Sequence, residues 1–229
     1  PILSTESPLS SVLASPWGEH CVSSFAAVHG TPIEDTPLTP EIVQAYGRSL
    51  GQLHALSAGY KAPAIRPAWH EALNRNRLQA VAASPAVVQA CDKLFAELSA
   101  LPADSSCFGL IHYDFEPDNV FWDSDAHTIS VIDFDDCLYG WDAMDIAQAL
   151  DELDPHWSET FLAGYRSSFP FTAAQESTLP LMQQYITLRS YMRLKHCLSE
   201  LVPEPPAWMV DLQRMLTAKL DALETMILQ

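Results

Sequence analysis

The chain has 229 residues and a mass of 25.3 kDa, enough to bury a sizeable core in one large domain or two small lobes. Hydrophobic residues make up 48% and charged residues 18%, which excludes a disordered chain. Twelve Lys and Arg stand against 29 Asp and Glu, and the resulting charge of −17 excludes a non-specific binder of nucleic acid or anionic membrane. That charge fits cationic or metal-bearing small partners, although solubility is its commoner cause.

The five cysteines are odd in number and none are spaced C-x-x-C, the pattern of reduced thiols in a cytoplasmic protein. No apolar run is long enough for a membrane span. No basic segment followed by an apolar run marks a signal peptide. In chain order, residues 20–28 read as a strand that ends at the turn His29-Gly30-Thr31-Pro32. Thr39 before Pro40 is an N-cap with Pro at N1. The helix it opens carries Ile42, Tyr46, Leu50, Leu53 and Leu56 on one stripe and ends near Gly59. Helices are expected over 67–81 and 85–100. Short strands follow at 108–111, 119–122 and 129–132, the last two as a hairpin. Helices are expected again over 141–152, 155–168, 180–200 and 206–228.

The chemistry is concentrated in 111–147. This stretch holds His112-x-Asp114-x-x-x-x-Asn119 and then Val131-Ile132-Asp133-Phe134-Asp135-Asp136. The short loop from Asp114 to Asn119, followed by a hairpin, brings Asp114, Asn119 and Asp133 to one end of a small sheet. Hard oxygens from an Asp and an Asn suit Mg2+, which keeps waters and adds phosphate oxygens. A separate carboxylate facing them orients a hydroxyl for attack on phosphorus. Asn74, Asn76 and Asn119 are the only asparagines, so the motif's Asn is a specific signal.

These residues resemble the aminoglycoside phosphotransferase and choline kinase family, small-molecule kinases of the protein-kinase-like fold. The family reads H-G-D-x-x-x-x-N, then I-D-F-x-D, then Y/W-x-x-D-[LI]-A. The counterparts here are His112, Asp114 and Asn119, then Asp133 to Asp136, then Trp141 with Asp145-Ile146-Ala147. Leu50-Gly51-Gln52-Leu53-His54 resembles the family's L-G-x-L-H helix. Phe25, Ala26, Ala27 and Val28 resemble the hinge strand whose backbone meets adenine. The resemblance implies an α+β fold, with a remnant β-lobe over 1–30 and a helical lobe over 31–229. It implies that Asp114 is the catalytic carboxylate and that Asn119 and Asp133 bind Mg2+ and, through it, ATP or GTP. His112 becomes a buried scaffold residue, and Asp145 braces the loop from below; a plain helix-terminal carboxylate is the alternative for Asp145.

The chain also departs from the family pattern. Tyr113 replaces the Gly after His. Glu116 stands where protein kinases place a phosphate-contacting Lys and is suited to a cationic acceptor. Asp135 and Asp136 are either a substrate or second-metal contribution or solvated turn carboxylates. Nothing before residue 30 reads G-x-G-x-x-G, and the first lysine is Lys61. The expectation is therefore a fragment of a longer kinase or a shortened, inactive one, with an unpaired sheet edge that favours self-association. Arg189 and Arg193 are expected on a solvated face or paired with Glu200, with a phosphate or the acidic cleft as the alternative. Tyr185, Tyr191, Met192, Trp157 and Tyr165 line either an acceptor pocket or a helical core. The expected function is transfer of a nucleotide's terminal phosphoryl group to a hydroxyl of a small cationic molecule. The rival is a non-catalytic binding protein that keeps the kinase lobe as a scaffold.

Overall fold

The structure, a computed structural model, describes residues 10–23, 26–60, 66–199 and 206–229. The first elements are β1 (Ser10–Ser15) and β2 (Gly18–Ser23), an antiparallel hairpin that pairs Ser15 with Gly18. The tight reversal uses Gly18 at a φ of 126°, a conformation open to glycine and strained for other residues. The expected strand over 20–28 therefore ends at Ser23. Ala26 to Val28 lie in irregular backbone, and Phe25 lies outside the described residues. A two-residue strand, β3 (Thr31–Pro32), then joins the edge of a second sheet.

Helix α1 (Pro40–Ser57) starts as its sequence dictates: the Thr39 hydroxyl accepts the Ile42 N–H at 3.3 Å, and Pro40 occupies N1. Ile42, Tyr46 and Leu50 are buried, but Leu56 is 81% exposed. The buried stripe turns instead through Val43, Gly47 and His54, because α1 lies against α6 (Ser158–Arg166). The helix expected over 67–81 is two short ones, α2 (Trp69–Ala72) and α3 (Arg75–Ala80). Leu73 and Asn74 are extended, and the Asn74 side chain accepts the Arg77 N–H, so Asn74 caps a new helix rather than continuing the old one. Helix α4 (Pro85–Ser99) is capped by Ser84.

Three short strands follow as expected: β4 (Phe108–Ile111), β5 (Val120–Asp123) and β6 (Thr128–Val131). The hairpin β5–β6 extends the β3 edge in the order β3-β5-β6. A further strand, β7 (Leu138–Trp141), pairs antiparallel with β4, with Phe108 opposite Trp141. A Cβ at Gly140 would press on the side-chain ends of Ile111, Leu138 and Met144, which would have to shift to admit it. Helix α5 (Asp142–Asp151) continues directly from β7. Helix α6 is preceded by a 3-10 turn at Pro155–Trp157, and α7 (Ala173–Glu176) is a single turn held by a Thr172–Gln175 capping box. The long helices α8 (Leu179–Ser199) and α9 (Ala207–Ile227) pack on each other, and α8 also packs on α5.

The architecture is mixed α+β: small sheets carry the loops, and helices supply the mass of the core. Tyr165, Tyr185 and Tyr191 are fully buried and Met192 nearly so, so these aromatic and Met positions are core and not pocket lining. Among the described residues no helix is long and apolar enough to cross a membrane.

Candidate active site

The segment from Ile111 to Asn119 leaves β4 and must turn sharply before β5. Tyr113 makes that turn at a φ of 67°, in the left-handed region where side chains other than glycine's are strained. This explains why the position suits glycine, and what tolerates tyrosine here is a set of compensating bonds. The Asp145 carboxylate accepts the His112 N–H at 2.8 Å on Oδ2 and the Tyr113 N–H at 2.7 Å on Oδ1. Asp145 is itself fully buried and also faces His54 Nε2 at 3.1 Å. The other His54 nitrogen lies 2.8 Å from the Tyr165 hydroxyl. Burial by itself disfavours the His54 cation. The bond to Asp145 and the charges of Asp142 and Asp145 outweigh it, so the imidazole pKa lies above its ordinary value.

Asp114 follows the turn with its side chain 22% exposed. Asn119 Nδ2 donates to the Asp114 backbone oxygen at 3.0 Å and to its Oδ2 at 3.2 Å. Spending Nδ2 on Asp114 turns the Asn119 Oδ1 away from it, the orientation in which an amide oxygen is available to a cation. The Asn119 carbonyl accepts the Ile132 N–H at 3.0 Å, which sets Asn119 across the hairpin from the residue before Asp133. Asp133 is exposed and turns the chain at a φ of 61°. His112 is buried, and its Nε2 donates to the Ile132 carbonyl at 2.9 Å, tying the Asp114 loop to the Asp133 loop. Among the described residues its Nδ1 has no partner.

The phosphotransferase enzyme family model matches residues 18–177. The chain belongs to this phosphotransferase family. Among curated relatives it is 28% identical to the homoserine kinase of Caulobacter sp. (strain K31) over 158 residues, 64% of this chain and 49% of that protein. It is 29% identical to the amicoumacin kinase of Bacillus subtilis (strain 168) over 57% of this chain and 39% of that protein. The chain thus spans about half the length, or less, of these curated relatives. Among solved structures, amicoumacin kinase hAmiN in complex with AMP-PNP, Ca2+ and Ami superposes with a TM-score of 0.80 at 21% identity, over 99% of this chain and 70% of that one. A microcompartment-associated aminopropanol kinase gives a TM-score of 0.66 at 27% identity, over 91% and 69%. The fold is protein-kinase-like.

In this phosphotransferase-family chain one residue that the sequence left on the surface is central to the site. Arg189 is 5% exposed, not solvated. Its guanidinium lies over the Tyr113 ring, 4.0 Å from the centroid, and Nη2 donates to Asp114 Oδ1 at 3.1 Å and to Asp136 Oδ2 at 3.4 Å. Nη1 faces Gln148 Oε1 at 3.5 Å, and Gln148 Nε2 donates to Glu116 Oε1 at 2.6 Å. Burial opposes the Arg189 charge, but Tyr113, Asp114 and Asp136 outweigh burial and hold its pKa above the ordinary value. Arg193, one turn on, stands 3.8 Å from Asp114 and 3.9 Å from Asp136. The solvated-face expectation therefore fails for Arg189, which takes the alternative of the acidic cleft, and holds for Arg193, whose side chain is 59% exposed: the interior face of α8 points at the Asp114 loop, so a cation there meets two carboxylates before it meets water. Gln148 was not singled out in sequence, although it lies one turn beyond Asp145 on α5.

Asp114, Glu116 and Arg189 border a cavity of about 630 Å3 between the loop, α5, α8 and α9. Glu116 faces it from the loop, and Asp151 and Glu152 from the end of α5. Burial raises the Glu152 pKa, and the neighbouring charges of Glu116 and Asp151 raise it further. Asn119 and Asp133 are not in this lining. Asp135 and Asp136 are exposed; the Asp135 carbonyl accepts Arg66 Nη1 at 2.6 Å, while Asp136 reaches Arg189. Among the described residues no three His, Cys, Asp or Glu side chains are grouped to hold a metal by themselves. The available donors, an amide oxygen and a carboxylate, fit an ion that completes its shell with water and phosphate.

Proposed function

We propose that this chain carries the catalytic lobe of a small-molecule kinase, moving the terminal phosphoryl group of ATP or GTP to a hydroxyl of a small acceptor that bears a positive charge. The observation that carries the reading is Asp114: a carboxylate at the rim of a 630 Å3 cavity, with one oxygen held by Arg189 and the other by Asn119. Held on both sides, the carboxylate has little freedom to rotate, which suits a group that must meet one acceptor hydroxyl in one direction. In this reading Asp114 orients that hydroxyl and takes its proton as the oxygen–phosphorus bond forms. Asn119 and Asp133 hold Mg2+, which when bound neutralises charge on the nucleotide phosphates. Ala26 to Val28 offer backbone to the nucleotide base. Asp145 holds the loop through the His112 and Tyr113 amides, and His112 keeps the two loops in register.

The acceptor is placed in the cavity, where Glu116, Asp118, Asp151 and Glu152 favour an ammonium group. The named activities of the relatives agree in kind: homoserine, amicoumacin and aminopropanol kinases act on small molecules. The test is nucleotide consumption by the full-length protein against a panel of amines, amino alcohols and aminoglycosides, repeated with Asp114→Asn. Turnover with at least one acceptor, and a loss of about a thousandfold or more in kcat with unchanged thermal stability, is the expected outcome. Full activity in Asp114→Asn removes Asp114 from its role.

A further inference from the structure

The cavity beside Asp114 is not uniformly acidic. Among the described residues, three Lys and Arg side chains line it: Arg189, Arg193 and Lys219. They come from α8 and α9, so the helical wall is basic. The opposite wall, from the loop and α5, carries Glu116, Asp118, Asp151 and Glu152. The lining thus presents charges of both signs to whatever occupies it.

The three cations are not equivalent. Arg189 is buried and already engaged by Asp114, Asp136, Gln148 and the Tyr113 ring. Arg193 has a side chain 59% exposed, and its two carboxylate neighbours lie at 3.8 and 3.9 Å, beyond hydrogen-bond length. An anion entering the cavity can form a direct, charge-assisted bond with Arg193 that these neighbours do not supply. Lys219, exposed on α9, adds a second positive charge to the same wall. An acceptor carrying only ammonium groups would set like charges against this wall, which disfavours it.

Resting on the kinase reading above, we infer that the acceptor is zwitterionic: a hydroxy-amino acid whose carboxylate is bound by Arg193 and Lys219 while its ammonium faces Glu116 and Glu152 and its hydroxyl faces Asp114. The reaction is unchanged by this. The acceptor oxygen bonds to phosphorus, the bond to the nucleoside diphosphate breaks, and the hydroxyl proton leaves through Asp114.

The experiment compares matched acceptors that differ only by the carboxylate, serine against ethanolamine and homoserine against aminopropanol, with an aminoglycoside as the polycationic arm. The full-length protein is assayed with MgATP for kcat and KM. The expected result is a preference of about tenfold or more in kcat/KM for the carboxylated member of at least one pair. Arg193→Met and Lys219→Met should each shrink that ratio toward one, and Arg193→Lys should restore part of it. Both side chains are solvent-facing, so circular dichroism and melting temperature should match the parent. Turnover of the amino alcohols or the aminoglycoside equal to or better than that of the amino acids overturns the inference and leaves the kinase reading standing. An equal loss of kcat for both members of a pair in Arg193→Met also overturns it, because Arg193 would then serve the transferring phosphoryl group. No turnover of any acceptor removes the kinase reading and this inference together.

Discussion

Tyr113 shows how one residue accommodates a conformation it does not prefer. Its left-handed backbone costs about 1 kcal/mol or more for a side chain of this kind. Its amide is bonded to buried Asp145, its hydroxyl meets Tyr185 at 2.9 Å, and its ring carries the Arg189 guanidinium. These contacts outweigh the strain and recruit Arg189 to Asp114. Two truncations separate strain from packing. Tyr113→Ala keeps the strain and loses the ring, whereas Tyr113→Gly loses the ring and relieves the strain. Both should destabilise, by about 2–4 kcal/mol, with the glycine variant about 1 kcal/mol the more stable of the two. Urea denaturation of the pair measures it, and an alanine variant as stable as the glycine one would contradict the strain.

At the scale of elements, the site depends on how closely α1 meets α6. Gly47 and Gly51 on α1 and Gly164 on α6 line the crossing. A Cβ on Gly47 would overlap the Phe161 carbonyl, and one on Gly164 would overlap the Gln44 carbonyl. Close backbone approach brings His54 of α1 under Asp145 and beside Tyr165 of α6. Alanine is the better helix former by about 1 kcal/mol. Gly164→Ala should nevertheless lower stability by about 1–3 kcal/mol, because backbone cannot move aside as a side chain can. A denaturant midpoint at or above the parent value would show that the two helices are not packed this tightly.

Across the whole molecule, one buried network joins α1, the loop, α5 and α6 through His54, Asp145, Asp142 and Tyr165. His54 has its folded pKa above its unfolded value of about 6.5. A basic group of that kind stabilises fully below the unfolded pKa, and the contribution is lost as pH rises through the folded pKa. Stability should therefore decline on going from about pH 6 toward the alkaline side of the folded His54 pKa. His54→Gln should be less stable at low pH and should flatten that slope; melting temperatures across the range read both. A parent and variant with parallel pH profiles would exclude His54 as the titrating group.

The candidate loop was legible in the sequence because its residues are local. His112, Asp114 and Asn119 lie within one short turn, and the bonds of His112 and Asn119 to Ile132 tie that turn to the residue before Asp133. The N-cap at Thr39, and the strands β4, β5 and β6, were legible for the same reason, since a side chain and the amide it caps are three residues apart. What the sequence left open depends on contacts between distant positions. Arg189 reads as a surface helix residue until α8 is packed against α5 and the loop, 75 positions away from it at Asp114. Asn74 reads as helix interior until its side chain caps α3. The set of candidate groups is thus a property of spacing along the chain. Which charges face them across the cavity is a property of helix packing, which binds residues far apart in sequence and leaves no periodic trace in it.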